Sequence, residues 1–210
     1  MKKATPVLVS CVLAVAALLS FVAAPVCLAQ SAPLEIAGFK LGDDVKARAQ
    51  AIDEKKSEVD INRQYLTTVL IKPVAGYRSG YVTYGNCAAP GRISRVKMNY
   101  ENDSREFYEK LLAALKKRYG EPQQWRGNPF GTLRIWKWSL KDKALGDISV
   151  ILQHYSGEDD SFTKGNSIRI AAADLLEQER DCWRAKHPGE KIQAPDPTAA
   201  PQGIEYYLPR

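Results

Sequence analysis

The chain has 210 residues, 30 Lys and Arg against 24 Asp and Glu, a formal net charge of +6 and 45% hydrophobic residues. That length and composition suit one ordinary domain with its own core and fall short of two. The basic surplus is spread along the chain, which argues against nucleic acid as a partner and fits a soluble protein working beside an anionic envelope.

Lys2 and Lys3 precede an apolar run from Val7 to Val26, and Cys27 and Ala29 put small residues at the third and first positions before Gln30. This order predicts a signal peptide over residues 1–29 and a bacterial protein that is periplasmic or secreted. The run could also span a bilayer if left uncleaved, so membrane contact is expected only through this segment. Its Ala and Ser content, and Pro25 where a peptidase needs extended chain, favour cleavage. Cleavage leaves 181 of the 210 residues, and losing Lys2 and Lys3 lowers the charge from +6 to +4.

In chain order, Gly38–Gly42 reads as a short strand and tight turn, after which Asp43 or Asp44 can cap a helix running to about Lys56. Three strands come next, at Gln64–Ile71, Ser79–Tyr84 and Arg92–Tyr100. In the last, Ser94, Val96, Met98 and Tyr100 alternate with Arg95, Lys97 and Asn99, the pattern of a strand with one wet face. The clearest helix spans Ser104–Tyr119, with Asp103 and Glu106 as a capping-box-like start, Phe107, Leu111, Leu115 and Tyr119 repeating every four residues, and Gly120 and Pro122 as the stop. Strands at Thr132–Leu140, Asp147–Tyr155 and Asn166–Ile170 and a helix from Ala172 to Lys186 complete the list. Strands joined by short turns, with helices between groups, predict an α+β fold: an antiparallel sheet with helices packed on one face, in a single domain over 30–187. Residues 188–210 form a Pro-rich tail. Its end, Ile204–Leu208 with Tyr206 and Tyr207, reads either as a strand that adds to a sheet edge or a partner, or as a mobile terminus.

Only Cys87 and Cys182 survive cleavage, and an even pair in an oxidising compartment points to a disulfide, with two separate buried thiols as the alternative. Such a bond would close a loop of nearly a hundred residues, for which chain entropy gives ~4.7 kcal/mol.

A helix, then Tyr119-Gly120-Glu121-Pro122, then Trp125 and antiparallel strands with Trp136 and Trp138, resembles the small envelope folds typified by beta-lactamase inhibitory protein and by the small lipoproteins of outer-membrane assembly. The resemblance covers about half the chain, implies a protein that binds other proteins through a sheet face, and carries over no functional residue. Ser79-Gly80-Tyr81 together with Thr163-Lys164-Gly165 is similar to pieces of bacterial inhibitors of C-type lysozymes, although the flanking tyrosines stand out of register and this chain is much longer.

Specific catalytic motifs are absent: no Gly-x-Ser-x-Gly elbow, His-Glu-x-x-His helix, phosphate-binding Gly loop or Cys-x-x-Cys pair occurs. His187 sits where a helix ends and suits the dipole there, and His154 reads as a sheet-rim residue. Glu158-Asp159-Asp160 lacks the alternating spacing of a calcium loop and reads as a solvated hairpin. No catalytic residue, metal or cofactor is therefore expected. The most suggestive surface is the strand Thr132–Trp138, where alternation puts Arg134, Trp136 and Trp138 on one face and Leu133, Ile135 and Lys137 on the other. If helices cover the tryptophans they are core; if not, they form a platform for a protein hot spot or a sugar ring. The expectation is a non-enzymatic domain that binds an envelope protein, with peptidoglycan binding or hydrolysis as the alternative. Arg134, Trp136, Trp138, Tyr206 and Tyr207 are its candidate contacts.

Overall fold

The computed structural model describes residues 31–189. The expected signal peptide, Tyr206 and Tyr207 lie outside that range. Glu35–Ile36 (β1) and Phe39–Lys40 (β2) form a small hairpin, and a 3-10 helix, Val45–Ala51, comes after it with Asp44 Oδ1 accepting from Lys46 N at 2.9 Å. One eight-stranded antiparallel sheet then takes the rest: β3 (Ile52–Asp60), β4 (Arg63–Ile71), β5 (Tyr77–Gly85), β6 (Ile93–Tyr100), β7 (Gln124–Gly127), β8 (Leu133–Asp142), β9 (Gly146–Tyr155) and β10 (Gly165–Ala172). Their order across the sheet is β3-β4-β5-β6-β10-β9-β8-β7. The α+β reading and most strand positions agree with the sequence expectation. The helix expected to run to Lys56 does not: from Ile52 the chain is strand β3, because pairing with β4 outweighs the helical preference of its Glu and Lys residues. β7 has no counterpart in the sequence expectation; it is four exposed residues held only by β8.

Register makes the core. Val69, Val82, Val96, Ile170, Val150 and Trp138 are Cα partners in one row across six strands, and each is at most 1% exposed. The next row runs Gly80, Met98, Ile168, Leu152, Trp136 and Trp125. Helix α1 (Arg105–Tyr119) covers this face with Tyr108, Leu111, Leu112, Leu115 and Tyr119, and Phe39, Leu41 and Val45 of the N-terminal segment join the same core. The cap of α1 is Ser104, whose Oγ accepts from Phe107 N at 3.2 Å, one residue later than the expected Asp103. Gly120, at φ +77, ends the helix in a conformation that other residues adopt at a cost.

Helix α2 (Ala173–Lys186) starts from the opposite end of the sheet, because β10 runs antiparallel to β6 and leaves where β6 enters. Its Leu176 and Arg180 stand beside Leu66 and Arg95. Arg95 alternates with the core residue Val96, so Leu176 and Arg180 lie over one end of the face opposite α1, while Leu175 at the start of α2 joins the common core. Two devices fix it. Cys182 is bonded to Cys87, with Cα atoms 5.9 Å apart. One turn earlier the buried Glu179 carboxylate accepts from the backbone amides of Cys87, Ala88 and Ala89 at 2.6, 3.1 and 2.6 Å.

Candidate binding face

The helix-covered alternative holds for the tryptophan strand. Trp138 is fully buried and its Nε1 donates to Gly120 O at 2.8 Å. Trp136 lies under Lys116 of α1, whose Nζ is 5.5 Å from the ring centroid, and beside Trp125 at 6.1 Å. Arg134 faces Glu109 of α1 at 3.9 Å and donates to Gly131 O. These three residues share a face as expected, and that face is the core side under α1.

His154 is 5% exposed, an interior residue rather than a rim one. Its Nδ1 is 2.7 Å from Asn166 Oδ1, while Asn166 Nδ2 donates to the carbonyls of Asn102 and Ser104, both at 2.9 Å. That arrangement orients the Asn166 amide and makes His154 the donor, tying the sheet to the start of α1. His187 stacks on Trp183 at 4.5 Å, with its Nδ1 2.9 Å from Trp183 O. In the β9–β10 hairpin the Asp159 carboxylate is held below its usual range by hydrogen bonds from Ser161 and Tyr155, so it closes its own loop.

Neither helix covers the centre of the opposite face, where Lys97, Ile151, Gln153 and Arg169 are half-buried and Ser167 and Asn99 are buried. One row there reads Gln124 (β7), Lys137 (β8), Ile151 (β9), Arg169 (β10), Lys97 (β6) and Tyr81 (β5). The adjacent row reads Arg126, Ile135, Gln153, Ser167 and Asn99. The β7 to β6 portion of these rows surrounds a depression of about 460 Å³, closed on one side by Phe162 of the β9–β10 loop. The loop is held in place by Lys97 Nζ, which donates to Thr163 Oγ1 at 2.8 Å, and by Gln153 Nε2 on Thr163 O at 3.3 Å. Arg78 Nη2 donates to Lys164 O, which joins the Ser79-Gly80-Tyr81 and Thr163-Lys164-Gly165 segments.

The charge on this face is one-sided. No carboxylate among the described residues comes within 4.0 Å of Lys97, Arg126, Lys137, Arg169 or Arg95. Burial, followed by the neighbouring Arg169 charge, lowers the Lys97 pKa; burial and Arg63 lower that of Arg169. Arg95, the most enclosed of them, is pushed down to about 10 by burial and then by Arg169 and Arg63, with Asp60 opposing. Its Nε has no hydrogen-bond partner among the described residues. Partly desolvated like charges are costly to hold together, and a group of them without counter-charges marks a functional surface more often than a structural one.

Sequence reasoning saw two pieces of this face, the wet side of β6 and the Ile135–Lys137 side of β8, and missed Arg169 and Arg126. The pieces meet only because β10 and β9 insert between β6 and β8. No protein-family model, curated protein or solved structure matches the chain. The functional reading therefore rests on the face itself.

Proposed function

We propose that this chain is a non-enzymatic binding domain of the bacterial envelope, periplasmic or secreted, that holds another protein on the open face of its sheet. The observation that carries the reading is the set of cations, Lys97, Arg126, Lys137 and Arg169, gathered around a depression with no carboxylate among the described residues to pair them. A partner that supplies the missing negative charge turns a cost into binding free energy and orients the encounter. Among the described residues, those lining the depression include no Asp, Glu, His or Cys. That supports binding over hydrolysis, which needs a general acid or base at the reacting bond. The Cys87–Cys182 bond suits an oxidising compartment.

Phe162, exposed beside the cations, favours a second reading, an anionic glycan such as peptidoglycan stacked on an aromatic ring. The two are separated by capturing tagged, signal-free protein from its own envelope after mild crosslinking, in parallel with the double variant Arg126→Glu, Lys137→Glu. The first reading expects one near-stoichiometric protein crosslinked to β6, β8, β9 or β10 and lost from the variant. No such protein, or one captured equally by the variant, overturns it. Binding to isolated peptidoglycan above that of a charge-matched control protein would establish the second.

A further inference from the structure

The spacing of the cations on the open face says more than their sign. Arg169 and Lys97 are direct Cα partners on neighbouring strands. Lys137 and Arg126 are diagonal neighbours across β8 and β7, close enough for long side chains to share one ligand group. The midpoints of the two pairs are three strand spacings apart, about 14 Å at ~4.8 Å per strand. Halfway between them, on β9, is Ile151, flanked by Ile135. An extended peptide carries its alternate side chains on one side, with residues i and i+4 about 13–14 Å apart and i+2 midway.

Given a protein partner on this face, the reading on which the step rests, we infer that the depression receives an extended acidic–apolar segment of that partner, laid across the strands. Its carboxylates at i and i+4 sit on the Arg169–Lys97 and Lys137–Arg126 pairs, and an apolar side chain at i+2 lies over Ile151. Arg169 offers the planar fork that a carboxylate accepts in two parallel hydrogen bonds. The Lys97 ammonium is already fixed on Thr163, which lowers the ordering cost of binding. The Ile151 step is what disfavours a phosphate polymer. A repeating anion needs positive charge at the centre of the track, and the centre here is aliphatic.

The test uses the signal-free chain and a labelled peptide containing Glu-Ser-Leu-Ser-Glu, with Gln-Ser-Leu-Ser-Gln and Glu-Ser-Ser-Ser-Glu forms as controls and polyphosphate as the competing class. Binding is read by amide chemical-shift changes and by titration. The acidic–apolar peptide is expected to shift residues of β6, β8, β9 and β10. The Gln form should bind about tenfold more weakly or worse, as expected when charge-assisted hydrogen bonds are lost. The Ser-centred form should also be weaker. Arg169→Gln and Lys97→Met should each reproduce the loss, while Lys117→Gln on the outer surface of α1 should not. Equal binding of the Glu and Gln peptides, or no binding of either, overturns the inference. Tighter binding of polyphosphate than of the peptide overturns it in favour of an anionic polymer. If envelope capture gives a protein crosslinked to this face whose recovery ignores Arg169→Gln and Lys97→Met, the binding face stands and the inference falls. If no crosslink maps to this face, both fall.

Discussion

Trp138 combines two kinds of stabilisation in one side chain. Its ring fills the central core row, and its indole N–H satisfies the Gly120 carbonyl at the end of α1. Trp138→Ala should therefore destabilise the domain by about 3–5 kcal/mol through the cavity and the orphaned carbonyl, whereas Trp138→Phe, which keeps most of the volume, should cost about 1–3 kcal/mol. Urea denaturation followed by circular dichroism measures both. A Trp138→Ala protein of unchanged midpoint would contradict the packing. Glu179 shows the same economy. One carboxylate accepts three loop amides, and its close approach needs a glycine at Gly85, where an added Cβ would collide with the Glu179 side chain. Nothing in the sequence around Glu179 distinguishes it from its solvent-facing neighbours Glu177 and Gln178. Its role depends on a loop about ninety residues away, and local periodicity carries no such information.

At the level of elements, β6 and β10 hold Lys97 and Arg169 side by side where isolated strands would avoid placing like charges opposite one another. The folded Lys97 pKa lies below its usual 10.5 because of burial and Arg169. The folded protein thus gives up this proton before the unfolded chain does, and stability rises as pH climbs toward and through 10.5. Below that window the destabilisation is fully present. Lys97→Met should accordingly raise stability near neutral pH by on the order of 0.5 kcal/mol after solvent screening, with the gain shrinking above pH 10. Chemical denaturation across pH checks this; a loss of stability at pH 7 would show that the Lys97–Thr163 hydrogen bond matters more than the repulsion. The six longer inner strands and both α-helices were legible because each carries a strong period of its own. β3 was not, since Asp53–Lys56 is a run of charged residues whose strand state comes from the β4 ladder, and those same charges guard a sheet edge. The candidate site was half legible. Alternation along β6 and β8 put the basic residues on one side of each strand, but strand order decides that these sides adjoin, and strand order is a property of the whole sheet.

For the whole molecule, the link between Cys87 and Cys182 spans 95 positions of sequence, and β6 through β10, with α1, lie between them. Every strand that contributes a cation to the depression is inside that ring, while β3, β4 and β5 are outside it. The binding face is thus part of a covalent macrocycle, with consequences for how the protein withstands proteases. Phe130, 87% exposed in the β7–β8 loop, and Phe162 in the β9–β10 loop are both within the ring. A chymotrypsin cut at either should leave a nicked chain that migrates as one species in denaturing gels and separates into two only after reduction. Separation without reductant would mean the thiols are free. A cut near Ile61, 89% exposed and outside the ring, should instead release the segment before it at once. In a protease-rich environment, damage to the loops that frame the depression would leave its strands tethered and able to re-pair, whereas damage to the β3–β4 turn would be permanent.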